Sequence, residues 1–373
     1  MSEAGIEREA DPGRDAGFGR ESGLGSGPGT GSGTGLGTGS GTGSGRGSGL
    51  GRGFAGFPLA RELSAVLVLC GAGLAGYFLF PDNLSLLTHV VAIGFLVLSL
   101  DLVTGYCGVA TLGHASLFGI AAYAAGAACV RGVTDPIALL AVGMVAGAVA
   151  GLLSGALITR FQGLPQLVLS IAIVQLVEAL AKKAQWLTGG SDGLADILPG
   201  KLFGIFGFDI YSRTAFVFAV GVFVVTFVVL LRVVNSPFGL MCRGIKDDPL
   251  RARMIGAAIY PRLVVMYGIS GAVAGLGGAL SAMSTQVVGL DSVGFALSGE
   301  VLVMLVFGGT GRLWGAVLGT VIFMWFQDFV SAKDPYNWIL LVGLLLILSV
   351  VFLPRGLIGF VLSLRAFVAR ARR

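Results

Sequence analysis

The residues able to do chemistry are few, and they lie in three kinds of place. Asp101, Glu178, Glu300 and His114 stand inside long apolar stretches, where an ionised side chain costs roughly 2.5–3.5 kcal/mol at mid-bilayer. Asp101 and Glu178 are near enough to stretch ends to snorkel to the boundary, so Glu300 and His114 are the better candidates for the lining of a pathway. Together they are too few for a continuous proton relay. A second group is a charged run in one long polar segment, where Arg243, Lys246, Asp247, Asp248, Arg251 and Arg253 surround Leu250, Met254 and Ile255. On a helix this is an apolar ridge rimmed by charge, the makeup of a docking surface for a cytosolic protein. The competing reading is a solvated loop whose charges only set topology. The third group is backbone. Gly105-Tyr106-Cys107-Gly108 leads into Thr111-Leu112-Gly113-His114-Ala115-Ser116, and Gly308-Gly309-Thr310-Gly311 leads into Gly315 and Gly319. Glycines beside a helix start either leave N–H groups free for an anion or water, or let helices pack tightly, and the sequence leaves both open.

Other chemistry is excluded by what the spacing lacks. Gly71 to Gly76 matches G-x-G-x-x-G, but no strand precedes it and it lies in a continuous apolar stretch, where small residues serve helix packing. The only Gly-Lys pair, Gly200-Lys201, is followed by Leu202 and has Ala195 in place of the first glycine of a Walker A loop, so the chain has no such device for ATP. Two histidines, His89 and His114, cannot build a histidine-rich zinc site, and Cys70, Cys107, Cys129 and Cys242 form no C-x-x-C pair. The cysteines read as reduced packing residues, and no metal or cofactor is implied. No nucleophile, base and orienting group can be assembled, which argues against an enzyme.

The elements that must position these residues follow from composition. Of 373 residues 55% are hydrophobic and 12% charged, and the mean hydropathy is +0.88; soluble domains carry about 25% charged residues, so this chain cannot cover a water-facing surface. It reads as an all-α integral membrane protein with about ten transmembrane or re-entrant helices. Regular crossings are expected over Leu63–Phe80, Leu84–Val103, Pro136–Thr159, Leu164–Leu180, Thr214–Leu231, Leu263–Met283 and Trp338–Leu353, and broken or re-entrant ones over Val109–Val130, Ser298–Phe307 and Leu313–Val330. Among the basic residues, only Arg131, Lys182, Lys183, Lys201, Arg213 and Lys333 then fall outside, which puts both termini in the cytoplasm. The positive net charge thus describes orientation, and no nucleic acid partner is indicated. Residues 1–61 are rich in Gly, Ser and Thr and are expected to be a disordered cytoplasmic tail, with a transmembrane body over 62–359 and a basic cytoplasmic tail over 360–373. The first apolar stretch starts too late for a cleaved signal peptide, so it is expected to be retained. Within the loop 235–262, Ser236-Pro237 and Asp248-Pro249 each read as N-cap and first helical residue, with Gly256 as the stop, which predicts two short surface helices.

Four blocks now carry a resemblance: Gly108 to Gly119 around Leu112-Gly113-His114-Ala115; Thr188-Gly189-Gly190-Ser191-Asp192-Gly193-Leu194; Ser236-Pro237-Phe238-Gly239 through Asp247-Asp248 to Gly256; and Gly308-Gly309-Thr310-Gly311 with Gly315 and Gly319. From about Leu84 to Gly359 the chain resembles the permease subunits, LivM type, of bacterial branched-chain amino acid ATP-binding-cassette importers. The resemblance implies a multi-pass protein of the bacterial inner membrane, with membrane lipid around it and a small-molecule substrate passing through by alternating access. It also implies a heterodimer with a second permease, two cytosolic ATPase subunits that hydrolyse the ATP, and an extracytoplasmic solute-binding protein. ATPase coupling would fall to Arg243, Lys246, Asp247, Asp248, Pro249, Leu250, Arg251, Arg253, Met254 and Gly256. The translocation pathway would include Gly113, His114, Ser116, Thr188, Gly189, Gly190, Ser191, Glu300, Gly308 and Gly309. Relatives that move urea or short amides share these blocks. An ion-coupled carrier would instead need paired charges at mid-membrane, and a passive channel would need no docking helices.

Overall fold

The computed structural model describes residues 59–200 and 213–333, together with residues 340, 341, 343, 344 and 347, which are helical. Residues 1–58 of the expected tail 1–61, the expected tail 360–373 and most of the expected span Trp338–Leu353 lie outside the described residues. The α-helices of the described chain are α1 Leu59–Leu79, α2 Leu84–Leu100, α3 His114–Val130, α4 Pro136–Ile158, α5 Leu164–Lys183, the short α6 Gln185–Thr188, α7 Arg213–Asn235, α8 Pro237–Asp247, α9 Pro249–Met254, α10 Ile259–Thr285, α11 Phe295–Gly308 and α12 Leu313–Lys333. Helix α1 begins at Leu59, so the last three residues of the expected tail are helical. Proline at the first turn fixes the start of α4, α5, α8 and α9, where its missing N–H has no intrahelical partner to lose.

Among the described residues seven helical segments are long and apolar enough to cross a bilayer, the α2 segment running from Pro81 to Tyr106. The chain is a multi-pass membrane protein. Helices α3 and α11, of 17 and 14 residues, extend about 26 and 21 Å at 1.5 Å per residue, short of a hydrocarbon core of about 30 Å. Both were expected to be irregular. Leu313–Val330 was expected to be broken as well, and here the structure corrects the reading: α12 is an unbroken helix of 21 residues. Its glycines do not interrupt it. Gly315 and Gly319 lie against the backbone of α11, where a Cβ on either would meet Gly309 or Met304 carbonyl oxygen, so they serve close packing of one helix on the next.

Helix α10 is the axle of the fold and packs against α2, α3 and α4. Its contact with α4 is backbone to backbone. Gly143, Gly147, Gly151 and Gly155 recur every fourth residue on α4, and a Cβ on Gly147 or Gly151 would collide with Gly271 or Tyr267 of α10. Small residues at this spacing replace the hydrophobic drive that lipid cannot supply, because close approach recovers dispersion contacts. Helix α1, by contrast, lies on the outside against α7, with Leu67 and Phe78 exposed. Cys70 on α1 is exposed too, contrary to the packing role expected of it, while Cys107, Cys129 and Cys242 are buried and all four thiols are free.

The two ends of α10 define two faces. Its start follows α8 and α9. Its end, at Gln286 in the left-handed conformation, leads to Val288, which exchanges both backbone hydrogen bonds with Leu194 at 2.9 Å. Gly200 N–H donates to the Thr134 carbonyl at 2.8 Å and so gathers the end of the α3–α4 connection onto this second face.

Candidate functional site

On the first face, α8 and α9 form as the proline and cap chemistry dictates. The Ser236 hydroxyl accepts from Gly239 N–H at 3.3 Å, and the Asp248 carboxylate accepts from Leu250 and Arg251 N–H at 3.0 and 3.1 Å. Gly256, at φ +79°, ends the second helix. Asp248 also pairs with Arg251 at 2.9 Å. The charged residues then divide by direction. Leu250, Met254 and Ile255 are 68%, 83% and 76% exposed and make the apolar ridge, with Asp247, Arg251 and Arg253 exposed around it. Arg243 and Lys246 turn the other way. The Arg243 guanidinium sits 4.9 Å from the Tyr106 ring centre, and Lys246 Nζ donates to the Gly105 carbonyl at 2.6 Å while its stem covers Gly108.

The segment they grip is the irregular end of α2. Asp101–Tyr106 is a turn of π-helix, a form that leaves backbone groups needing outside partners. Asp101 does not snorkel as expected. It is fully buried, and its Oδ1 accepts from Gly311 N–H at 2.6 Å, joining the π-turn to the glycine loop between α11 and α12. The second carboxylate oxygen, Oδ2, has no hydrogen-bond partner. One cluster of contacts therefore ties α8 to α2 and to the α11–α12 loop. Glu178 behaves as expected: it pairs with Lys182 at 2.7 Å near the end of α5.

The start of α3 resolves the open question about its glycines. Leu112 N–H is held by the Ser170 hydroxyl at 3.0 Å, Gly113 N–H by Thr111 at 3.1 Å and Ala115 N–H by Ser298 of α11 at 3.1 Å. The amides that were candidates for an anion are occupied by protein hydroxyls, which is how irregular backbone survives at membrane depth. The Ser116 hydroxyl donates to the Gly113 carbonyl at 2.6 Å. His114 is buried. The Ser270 hydroxyl spends its one proton on the Ser99 carbonyl at 2.7 Å, so it accepts from His114 Nε2–H at 2.7 Å, and His114 is a strut between α2, α3 and α10. Gly308 and Gly309 are likewise packed, with a Cβ on Gly308 meeting the Gly315 carbonyl.

On the second face, Thr188 is buried and its hydroxyl donates to the Ala181 and Ala184 carbonyls at 2.6 and 2.9 Å. Gly189, Gly190 and Gly193 all take positive φ, which turns the chain so that Leu194 reaches Val288, and Ser191 is exposed at the bend.

Glu300 is placed differently from the other expected pathway residues. It lines a cavity of about 240 Å³ between α2, α11 and α12, with His89, Gln327, Asp328 and Ser331 as its other polar residues and Leu86, Ile93, Leu297, Met304 and Met324 as its apolar wall. Two larger grooves, of about 470 and 750 Å³, have almost wholly apolar linings, as expected of lipid-facing surface. His89, Gln327, Asp328 and Ser331 were missed in the sequence. Asp328 lies within the expected span Leu313–Val330 and His89 within Leu84–Val103, so the rule that flagged Glu300 applied to both.

The sequence profile described as "Branched-chain amino acid transport system / permease component" matches residues 83–350. The chain belongs to this family. The LivM proteins of Salmonella typhimurium strain LT2 and Escherichia coli strain K12, each named a high-affinity branched-chain amino acid transport system permease protein, are each 26% identical to this permease over 283 residues, covering 70% of it and 66% of their own length. The permease thus spans just under two thirds of the curated relatives it matches. FrcC of Rhizobium meliloti, named a fructose import permease protein, is 26% identical over 221 residues, covering 56% of this chain and 60% of FrcC. No solved structure matches the chain.

Proposed function

We propose that this permease is a transmembrane subunit of an ATP-driven importer of branched-chain amino acids, working by alternating access. In the proposed assembly it pairs with a second permease. Two cytosolic ATPase subunits dock on α8 and α9, and an extracytoplasmic binding protein delivers the solute to the opposite face. The observation that carries the reading is the two-sided character of α8–α9. Its outer side is the exposed ridge of Leu250, Met254 and Ile255, and its inner side is fastened to the membrane helices by Lys246 and Arg243. A loop that only set topology needs neither. Closure of the ATPases on ATP would push the ridge, and the fastened helices would reorient with it. The amino acid substrate is supported by the printed names of the LivM relatives; the likeness to FrcC makes a sugar the second candidate.

The test is charge reversal of Arg251 and Arg253 together with Leu250→Asp. Full burial of a leucine contributes about 1.5–3 kcal/mol, so losing it and reversing two rim charges weakens docking by more than tenfold. In proteoliposomes with the complete assembly, ATP-driven leucine uptake should vanish while membrane insertion is unchanged. Unaltered uptake would remove the docking assignment, and ATP-driven uptake of fructose rather than leucine would overturn the substrate.

A further inference from the structure

The junction between α8 and the end of α2 holds two cysteines that the grip does not use. Cys242 and Lys246 are one turn apart on α8 and share a face. Lys246 donates to the Gly105 carbonyl, its stem covers Gly108, and Arg243 lies over the Tyr106 ring, so this side of α8 runs along residues 105–108. Cys107 is the remaining residue of that run. Cys107 and Cys242 are 5% and 0% exposed, both thiols are free, and the two are hydrogen-bond partners. A disulfide needs residues that face each other across about 4.4–6.8 Å between Cα atoms, and thiols sharing a hydrogen bond between packed elements already face each other. Cys242 is the better nucleophile of a pair held this way. The hydrogen bond with Cys107 and the positive charge of Arg262 hold its thiol below the ordinary thiol range, and the thiolate is the reactive form.

We propose that Cys107 and Cys242 are an oxidation-sensitive latch, which hydrogen peroxide closes into a disulfide that fastens α8 covalently to the end of α2. Local opening of α8 admits an oxidant this small and uncharged. The Cys242 thiolate attacks one peroxide oxygen and the O–O bond breaks, giving a sulfenic acid and a hydroxide, which takes up the proton the thiol had lost and leaves as water. The Cys107 sulfur then attacks the Cys242 sulfur, the S–O bond breaks, and the oxygen leaves with the Cys107 proton as a second water. The pair gives up two electrons, and one peroxide is reduced to two waters. A dithiol reductant reopens the bond by exchange. With the pair reduced, Lys246 supplies a reversible tie across the junction, and the disulfide is its covalent replacement. The consequence for transport rests on the proposed function, whereas the bond itself does not.

The full chain in nanodiscs, without ATP or partner proteins, is treated with hydrogen peroxide, denatured, alkylated with N-ethylmaleimide and digested for mass spectrometry. Alkylation of Cys107 and Cys242 should be lost together, and their peptides should be recovered as one linked species that dithiothreitol separates. Cys107→Ser and Cys242→Ser should each abolish the linked species, while Cys70→Ser should leave it. Both thiols still alkylated after peroxide, Cys242 driven to sulfinic acid with Cys107 still alkylated, or Cys242 linked instead to Cys70 or Cys129 would overturn the proposal. In proteoliposomes with the complete assembly, peroxide should restore to Lys246→Met the leucine delivered per ATP that the reduced variant loses, and should restore nothing to the double variant that also carries Cys242→Ser. A disulfide that forms without this rescue would keep the latch and sink transmission through the α8 contact.

Discussion

Lys246→Met removes one charged group and almost nothing else. The lysine stem covers Gly108 and its Nζ reaches the Gly105 carbonyl at 2.6 Å; methionine keeps the cover and loses the reach. Hydrogen bonds from charged donors contribute about 1.5–3 kcal/mol. Lys246 as a whole is exposed while the bonded atoms are partly buried, so the lower end applies, about 1.5 kcal/mol. That is roughly a tenfold change in the equilibrium between gripped and released α8. If the grip transmits motion from docked ATPases, the variant should hydrolyse ATP at the wild-type rate while leucine delivered per ATP falls roughly tenfold. The assay is paired measurement of phosphate release and labelled-leucine uptake in the same proteoliposomes. A ratio within twofold of wild type would refute transmission through this contact, whatever the absolute rates. A fall in both rates together would point instead to lost docking and refute it equally.

Two further outcomes test the packing on which that transmission depends. Gly147→Val drives a branched side chain into α10, where even a Cβ meets the Gly271 carbonyl, and overpacking of this kind costs about 1–3 kcal/mol; the melting temperature in detergent should fall, whereas Gly221→Val on α7, with open space around it, should leave it unchanged. Asp101→Ala strands the Gly311 N–H that the carboxylate now accepts, a loss of about 1–3 kcal/mol. Asp101→Asn keeps an acceptor there. The alanine variant should therefore melt lower than the asparagine variant, and equal melting would show that Asp101 does not hold the loop.

How much of this was legible in the sequence depended on the range of the interaction. The paired surface helices were readable from Ser236-Pro237, Asp248-Pro249 and Gly256, because a cap acts within three or four residues of itself. The apolar spans were readable because lipid sets their length. What lay beyond reach was which side of a helix faces what. Lys246 and Arg251 read alike in a charged run, yet one grips Gly105, 141 residues away in the chain, and the other stays exposed. Asp101 near a stretch end reads as a snorkelling residue until Gly311, 210 residues on, is brought beside it. The partners of His114, Ser270 and through it Ser99, are likewise brought beside it only by the fold. The glycines spaced every fourth residue on α4 drew no reading in the sequence, because only the facing glycines on α10 show why they are there.

The grip of Lys246 and the cavity of Glu300 belong to the same three rods. Helix α2 carries His89 in the cavity wall and continues to Asp101 and Gly105, about 18 to 24 Å along its axis, at the grip of Lys246. Helix α11 carries Glu300 and ends about 12 Å later at the glycine loop that Asp101 holds, and α12 leaves that loop at Leu313 and reaches Asp328 about 22 Å further on. Helices transmit displacement along their length with little loss because their backbone bonds are internal and their side chains are close-packed. A shift of α8 relative to the membrane body is thus applied at the near ends of the helices whose far parts line the cavity. The irregular backbone at Asp101–Tyr106 and Gly309–Gly311 sits at the point where the rods are gripped, where a change of angle can be absorbed without breaking a regular helix. A substitution that stiffened this junction would separate grip from cavity: docking and hydrolysis would continue, and the three rods would no longer move together.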